Sequence, residues 1–260
     1  MTTTPKNAGQ NADAGDISVR NVWLVCLALY ALFMGAAVLL PHEVLWAGSA
    51  RLPGTGDPNW EFGLAETSQN IFLAIALMMA GVMCARAPTL WLRVWLGVVF
   101  LGVLYLLGEE TSWGQHYFRW AASGWFAENN DQFETNIHNT SALFDQLPRN
   151  LLYVGMVVGG IAHPLVKLFR KGRGIIDNPW WWAPTIACLP PVIFAFLSGS
   201  PKGIDKLLTN AGVEAWANGF RLEAFIGRSS EMEECFMYFF FVVYLWSLAS
   251  RLRFRSGKDG

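Results

Sequence analysis

The chain has 260 residues, of which 53% are hydrophobic and 15% are charged, and its mean hydropathy is +0.30. Soluble domains carry about 25% charged residues, so the composition excludes a purely soluble fold and indicates an all-α, polytopic membrane helical bundle. The net charge of −1 gives no indication of nucleic-acid binding. The 4 cysteines lie in or beside apolar segments, so they predict neither a disulfide framework nor a zinc motif.

The first 20 residues are polar and predict a disordered cytoplasmic tail. The apolar run that follows, Val22 to Leu40, is longer than the hydrophobic region of a signal peptide and predicts an uncleaved membrane anchor. Six transmembrane helices are predicted in all, at residues 22–41, 64–85, 90–108, 150–169, 182–199 and 232–250. They form a single transmembrane domain over residues 21–252, and a basic cytoplasmic tail is predicted at 253–260.

Two of the predicted helices depart from a uniform apolar composition. The second begins with polar residues, including Glu66, so its start is expected at or inside the membrane interface. The fifth carries Pro184, Pro190 and Pro191, which remove backbone donors and predict a kink or a break. The tryptophans at 180–182 are typical of an aromatic belt at a membrane interface.

The distribution of lysine and arginine predicts that both termini are cytoplasmic. With the N-terminus inside, most of the 19 basic residues fall on inner segments close to helix ends, and most of the 20 acidic residues fall on the outer side. The long connections at 109–149 and 200–230 are then outer connections. The second of them mixes apolar and charged positions and predicts an amphipathic segment in the outer interface.

This topology brings polar residues from distant parts of the chain to one outer level of the membrane. They come from the start of the second helix, the end of the third, the connection that follows and the start of the sixth. Ionisable groups are costly at this depth and usually have a role there. The residues concerned are Glu66, Glu109, Glu110, Ser112, His116, Glu134, His138 and Glu231.

Spacing within the first outer connection predicts two side-chain pairs. Ser112 and His116 are four residues apart, as are Glu134 and His138, so on a helix each pair would share a face. A carboxylate and an imidazole at this spacing can hold a divalent metal ion, or the carboxylate can orient the ring.

The adjacent carboxylates Glu109 and Glu110 point in different directions on a helix, so one is expected to enter the bundle. A buried carboxyl group of this kind can act as a general acid or base. We predict Glu110 and His138 as the central catalytic groups, with Ser112 as a nucleophile or a supporting donor. The candidate ligands for a divalent metal ion (Zn, Mn, Fe or Ca) are Glu109, His116, Glu134, Glu66 and Glu231.

The competing interpretation of these residues is structural. The same side chains could form a hydrogen-bond network that ties the outer helix ends together, and Glu231 could simply favour the N-terminal dipole of its helix. His163 lies alone in the fourth predicted helix, and no second histidine is expected to face it at the same depth. No haem is therefore expected.

One family resemblance rests on two strings, Gly108-Glu109-Glu110-x-Ser112-Trp113-Gly114-Gln115 and Glu134-x-Asn136-x-His138-Asn139, with Glu128-Asn129-Asn130 between them. They resemble the G-E-E-x-S-W-G-Q and E-x-N-x-H-N elements of a group of uncharacterised bacterial integral membrane proteins. The resemblance covers about residues 105–140. It implies a multi-pass protein of the bacterial inner (plasma) membrane, and it implies no activity.

Three functions are compatible with this sequence. The leading hypothesis is a metal-dependent hydrolase that acts on a lipid or lipid-linked substrate at the outer (periplasmic) interface, with membrane lipids as its surroundings. The alternatives are a proton-coupled transporter and a non-catalytic subunit or assembly factor of a membrane complex.

Overall fold

The computed structural model describes residues 15–40, 63–130, 133–175 and 182–256. These ranges are helical and contain no strand, which confirms the all-α prediction. Six long helices are joined by short helical turns. They are α1 (Val19–Leu39), α2 (Leu64–Arg86), α3 (Leu90–Glu110), α4 (Ala142–Gly155, a π-helical turn at Met156–Ala162, and His163–Phe169), α5 (Leu189–Asn210) and α6 (Ser229–Ser256).

Local sequence signals explain where several of these helices begin and end. Ser18, Thr89 and Ser141 cap α1, α3 and α4, because each side chain accepts a hydrogen bond from the backbone N–H three residues later. Pro88 disfavours the helical conformation at the residue before it, so α2 stops at Arg86 and α3 starts afresh. The two helices consequently form an antiparallel hairpin.

Five of the described helices are long and apolar enough to cross a membrane, rather than the six predicted. The exception is the segment predicted at 182–199, which forms α5. This helix continues past the predicted end into a polar stretch that includes Lys202 and Asp205. The predicted segment is broken near its start, since α5 begins only at Leu189, after Pro184. Pro190 and Pro191 lie in the first turn of α5, where no backbone donor is needed.

α5 nevertheless runs alongside α6 over much of its length. Near its start, Thr185 Oγ1 lies 3.3 Å from Ser247 Oγ. Farther along, a Cβ on Gly199 would collide with the carboxylate of Glu233. Ser247 and Glu233 are separated by about 21 Å along the helix, at 1.5 Å per residue. The two antiparallel helices therefore lie side by side over a large part of a membrane core about 30 Å thick.

α6 is the central helix of the bundle. In the apolar part of α6, 61% of the residues are buried, whereas 17–22% are buried in the other four helices that could cross a membrane. Phe236 of α6 lies 5.4 Å from Phe194 of α5 and 6.5 Å from Phe33 of α1, between ring centroids. The outer helices leave much of their apolar surface exposed, a pattern typical of helices that face lipid.

The end of the bundle away from Glu109 is held by hydrogen bonds to buried polar groups. Arg251 is buried and donates to the carbonyl oxygens of Ser247 and Ala183. Asp16, just before α1, accepts a hydrogen bond from Thr185. The rest of the predicted tails, at 1–14 and 257–260, and residues 180–181 of the predicted aromatic belt lie outside the described residues.

The π-helical turn of α4 packs closely enough that glycine is required at position 160. A Cβ on Gly160 would lie 2.6 Å from Val192 Cγ2 and 3.1 Å from a Phe240 ring carbon. We expect Gly160→Ala to destabilise the protein by about 1–3 kcal/mol through overpacking, as measured by thermal unfolding in detergent.

Gly155→Ala is the matched control, because a Cβ there meets no described atom within 4 Å. Alanine has the better helix propensity, so this variant should be as stable as the parent or slightly more stable. Equal melting temperatures for the two variants would contradict the packing of α4 against α5 and α6.

Candidate functional site

The chain leaves α3 through a left-handed turn. Ser112, Trp113 and Gly114 have φ values of 47°, 54° and 102°. The first two cost about 1–2 kcal/mol each, because a Cβ crowds the carbonyl oxygen in this conformation. The turn folds the Trp113 ring back onto α3, where a Cβ on Gly108 would lie only 2.9 Å from it. Such strain is typical of functional sites, where surrounding contacts hold it.

Glu109 is buried at the end of α3, and its carboxylate faces the connection that follows. One oxygen accepts a hydrogen bond from Trp113 Nε1 at 2.8 Å. The other accepts from the backbone N–H groups of Ile137 and His138, at 2.7 and 2.8 Å, and lies 3.3 Å from His138 Nδ1. A carboxylate offers about four acceptor sites. Glu109 therefore has the geometry of a residue that orients His138, and four donors already surround its carboxylate.

Glu134 is the centre of a second buried network. Its Oε2 accepts hydrogen bonds from Ser112 Oγ at 2.8 Å, from Asn139 Nδ2 at 3.1 Å and from Asn136 Nδ2. Its Oε1 lies 3.2 Å from His116 Nε2. Burial alone would raise the pKa of Glu134, but the hydrogen bonds and the charge of His116, together with the neutral donors, lower it below its ordinary value.

Ser112 lacks the geometry of a triad nucleophile. His116 Nε2 lies 3.0 Å from Ser112 Oγ and also contacts Glu134, so serine and acid share one ring nitrogen. A serine–histidine–acid triad needs them on opposite ring nitrogens. Ser112 is also fully buried and is not among the described residues that line the adjacent cavity. The supporting-donor alternative for Ser112 fits this geometry.

The spacing predicted that Ser112 would pair with His116 and Glu134 with His138, and the second of these pairs does not form. Residues 133–137 are not helical, so Glu134 and His138 share no helix face. Glu134 instead contacts His116, and His138 contacts Glu109. The predicted contact between Ser112 and His116 does form, but through the left-handed turn.

Two buried amides hold the connection in shape, and neither was predicted as a site residue. Gln115 accepts a hydrogen bond from the Thr135 N–H at 2.7 Å and donates to two backbone carbonyls. Asn130, which the sequence suggests only as a turn residue, donates to Asn136 Oδ1 at 2.8 Å and accepts from the Glu134 N–H. No charge or spacing pattern distinguishes these amides from ordinary loop residues.

A polar cavity of about 250 Å³ lies where α3, α4, α6 and the connection meet. Most of the predicted site residues line it, although Ser112 and Glu66 are not among its described lining residues. The polar lining comprises Glu109, Glu110, His116, Glu134, His138, Asn139, Arg149, Arg228, Glu231, Glu234 and Tyr238, and the apolar lining includes Tyr105, Leu106, Pro148 and Leu152.

Two arginines that the sequence did not point to neutralise part of this acidic lining. Arg228 contacts Glu66 at 3.3 Å and Glu231 at 2.7 Å, and so joins the starts of α2 and α6. Gln69 of α2 also donates to Glu231, at 3.1 Å. Arg149 of α4 contacts Glu234 at 2.5 Å. Their only signal in the sequence is a position on the same predicted side as the acidic residues.

Glu110 contacts the central helix α6. It accepts a hydrogen bond from the Tyr238 hydroxyl of α6 at 2.6 Å. The two carboxylates at the end of α3 thus diverge, as expected for adjacent helical positions, and both line the cavity.

His138 is the cavity residue with a ring nitrogen open to a bound molecule. Its Nδ1 is directed at Glu109, and among the described residues no hydrogen bond reaches Nε2. The side chain is 29% exposed. Burial alone would lower the pKa of His138, but the hydrogen bond to Glu109 and the charges of Glu110, Glu109 and Glu134 raise it.

A divalent metal ion finds no ready-made ligand set in the described part of the chain, where no three His, Cys, Asp or Glu side chains are grouped to hold one. Glu109 and Glu134 each accept several hydrogen bonds, and Glu66 and Glu231 contact Arg228. Metal binding stays a prediction.

Comparison with known protein families, curated proteins and solved structures finds no match for this chain. The family resemblance of the two strings therefore stays a prediction. The structure shows that the strings fold against each other, because Glu109 contacts His138 and Ser112 donates to Glu134.

We expect Glu134→Gln to destabilise the protein, because a neutral amide oxygen accepts the hydrogen bonds of Ser112, Asn136 and Asn139 less strongly than a carboxylate does, and the charge beside His116 is lost. The expected loss is about 1.5–3 kcal/mol, the size of a hydrogen bond to a charged group. Thermal unfolding in detergent measures it, and the exposed Glu128→Gln is the control.

The same pair of proteins tests the lowered pKa of Glu134. A lowered pKa in the folded state stabilises the protein above the ordinary value near 4.5, and this contribution is lost as pH falls through the folded value. The difference in melting temperature between parent and Glu134→Gln should therefore be full at neutral pH and shrink below about pH 4.5. A pH-independent difference would be inconsistent with this role.

Proposed function

We propose that this chain is a multi-pass hydrolase of the bacterial inner membrane that acts on a lipid or lipid-linked substrate from a site at the outer interface. The observation that carries the proposal is the Glu109–His138 pair. A buried carboxylate fixes one imidazole nitrogen, and the other is left for a molecule in a polar cavity. This is the arrangement that prepares a histidine for general-base catalysis.

The orientation of the bundle supports an outer location for the cavity. The opposite end of the bundle is formed by the start of α1 and the ends of α2 and α4. Many of the basic residues lie there, among them Arg20, Arg86 and Lys167. By the positive-inside rule that end is cytoplasmic. If α5 crosses together with α6, the number of crossings is six and both termini are cytoplasmic.

In the proposed reaction His138 Nε2 accepts a proton from water as the water oxygen attacks the substrate. Glu109 stabilises the imidazolium that forms and keeps the ring in place, without itself being protonated. Glu110, held by Tyr238, lies in the same cavity and is placed to position the water or the leaving group. General acid–base catalysis of this kind contributes about 10²–10⁴-fold to a rate.

A metal-dependent version of the hydrolase is less well supported by the geometry. A divalent ion would compete with Tyr238 at Glu110 and with the arginines at Glu231 and Glu234. The version that uses His138 needs no such rearrangement. Metal analysis of the purified protein distinguishes the two versions.

The second candidate function is that of a non-catalytic subunit. It is favoured by the dense hydrogen bonding around Glu109 and Glu134, which would serve equally well to join helix ends. A proton-coupled transporter remains the third alternative, and pH-driven substrate flux into proteoliposomes would favour it. The variants below separate catalysis from structural support.

We expect His138→Gln to lower hydrolysis by about 10²–10⁴-fold, because glutamine cannot accept the proton. The measurement is mass spectrometry of products released from bacterial lipid extract in nanodiscs that contain the purified protein. Glu128→Gln is the control and should retain full activity. Full activity of a folded His138→Gln variant would contradict the proposal. If the parent shows no hydrolysis and His138→Gln has a much lower melting temperature than the parent, a non-catalytic subunit is favoured.

The pH dependence of the reaction gives an independent test. Only neutral His138 can act as the base, and its pKa is raised, so the rate should increase with pH to a midpoint above the ordinary value of 6.5. In Glu109→Gln, loss of the negative charge should move the midpoint to lower pH. A midpoint that stays in place in Glu109→Gln would assign the titration to another group.

A further inference from the structure

A large apolar groove lies beside the polar cavity. It has a volume of about 830 Å³ and is formed by α3, α4 and α6 together with the segment before α5. Its lining is apolar and aromatic, with His163 at the end remote from the cavity. A groove of this size is within the usual range for small-molecule sites.

The groove and the cavity are adjacent. Tyr105, Leu106, Pro148 and Leu152 line both of them. Tyr105 lies one helical turn before Glu109 on α3, so the boundary between apolar and polar lining falls one turn from the catalytic pair. A molecule that occupied both spaces would have a long apolar part and a compact polar part.

The depth of the groove suits a single hydrocarbon chain. Along α3 it extends from Tyr105 to Trp95, which is about 15 Å at 1.5 Å per residue. That length is about half of a 30 Å hydrocarbon core, the share of one leaflet. Its far end is formed by Trp95 and Trp182. The indole N–H of Trp95 donates to the Tyr244 hydroxyl, which in turn donates to the backbone carbonyl of Trp182.

The groove is open to the side, between α3 and α4. Val98 of α3 and Val154 of α4 both line it, and they are 57% and 60% exposed. A hydrocarbon chain could thus enter from the surrounding lipid without crossing the polar cavity. Apolar contact area along the groove would stabilise the bound chain.

We infer that the substrate is a long-chain acyl ester or amide whose acyl chain lies in this groove, with its carbonyl group at the boundary one turn from Glu109. The inference rests on the proposed hydrolase function. Five carboxylates and two guanidinium groups line the cavity, so the part of the substrate beyond the carbonyl is neutral or cationic, such as an amino alcohol.

The reaction is then hydrolysis of the acyl bond. The water oxygen forms a bond to the acyl carbon, and the carbon–oxygen or carbon–nitrogen bond to the leaving group breaks. The proton taken up by His138 passes to the leaving alcohol or amine. The products are a fatty acid and an alcohol or an amine, and no further reactant is needed.

Two glycines allow the groove to be filled without disturbing the helices. Gly102 of α3 and Gly155 of α4 line it, and a Cβ on either meets no described atom within 4 Å. Leucine at these positions would occupy the space proposed for the chain. Gly35→Leu is the matched control, because a Cβ on Gly35 also meets no described atom within 4 Å and lies on α1, away from the groove.

The probe is an N-palmitoyl amino alcohol that carries a photoreactive diazirine on the acyl chain. In nanodiscs it should label peptides of α3 and α4 in the parent and equally in His138→Gln, since binding does not need the base. Labelling should fall about tenfold or more in Gly102→Leu and in Gly155→Leu, because exclusion of only a few methylenes from an apolar site has that effect. Gly35→Leu should label like the parent.

Chain-length preference gives the second readout. With octanoyl and palmitoyl substrates, the groove-filling variants should lose activity on the long chain and keep it on the short one. Labelling of the groove without any hydrolysis would support the binding site while contradicting the hydrolase. Hydrolysis by folded groove-filling variants at the parent's rate on both chains, or labelling elsewhere, would overturn the inference and leave the hydrolase standing.

Discussion

The fixed carboxylate of Glu109 is the contact on which the rest of the site depends. It lies at the last turn of α3. Its two oxygens accept hydrogen bonds from Trp113 and from two consecutive backbone N–H groups, and one of them contacts the His138 ring. Without it the strained turn after α3 would lose its main compensation, and the connection would have no fixed position against the bundle. The donors also offset the cost of a buried charge.

The buried polar groups at this end of the bundle are tolerable because each charged network is nearly closed on itself. Glu134 is matched by neutral donors and one imidazole, and Glu231 and Glu234 are matched by Arg228 and Arg149. Removal of one partner from such a network costs more than the pair contributes. His138 differs from these carboxylates because its side chain is 29% exposed and lines the cavity.

The sequence is sufficient for the helical class, the approximate helix positions and the convergence of distant acidic residues, because apolar runs and their order determine all three. The hydropathy pattern misplaced the end of α5, because this helix continues into a polar stretch after its apolar residues end. The sequence could not predict which carboxylate pairs with which histidine, since left-handed φ values at Ser112 and Trp113 decide that. Amides such as Gln115 carry no periodic signal at all.

The π-helical turn in α4 sets the register between the residues that line the polar cavity and those that line the far part of the groove. A π turn accommodates one extra residue, and one residue corresponds to about 100° of helix rotation. Arg149 on one side of the turn can therefore face Glu234 while His163 on the other side lines the apolar groove. If the same residues formed a plain α-helix through Met156–Ala162, the part after the turn would be rotated by about 100° relative to the part before it. The polar cavity and the groove could then no longer be lined by α4 in the same register.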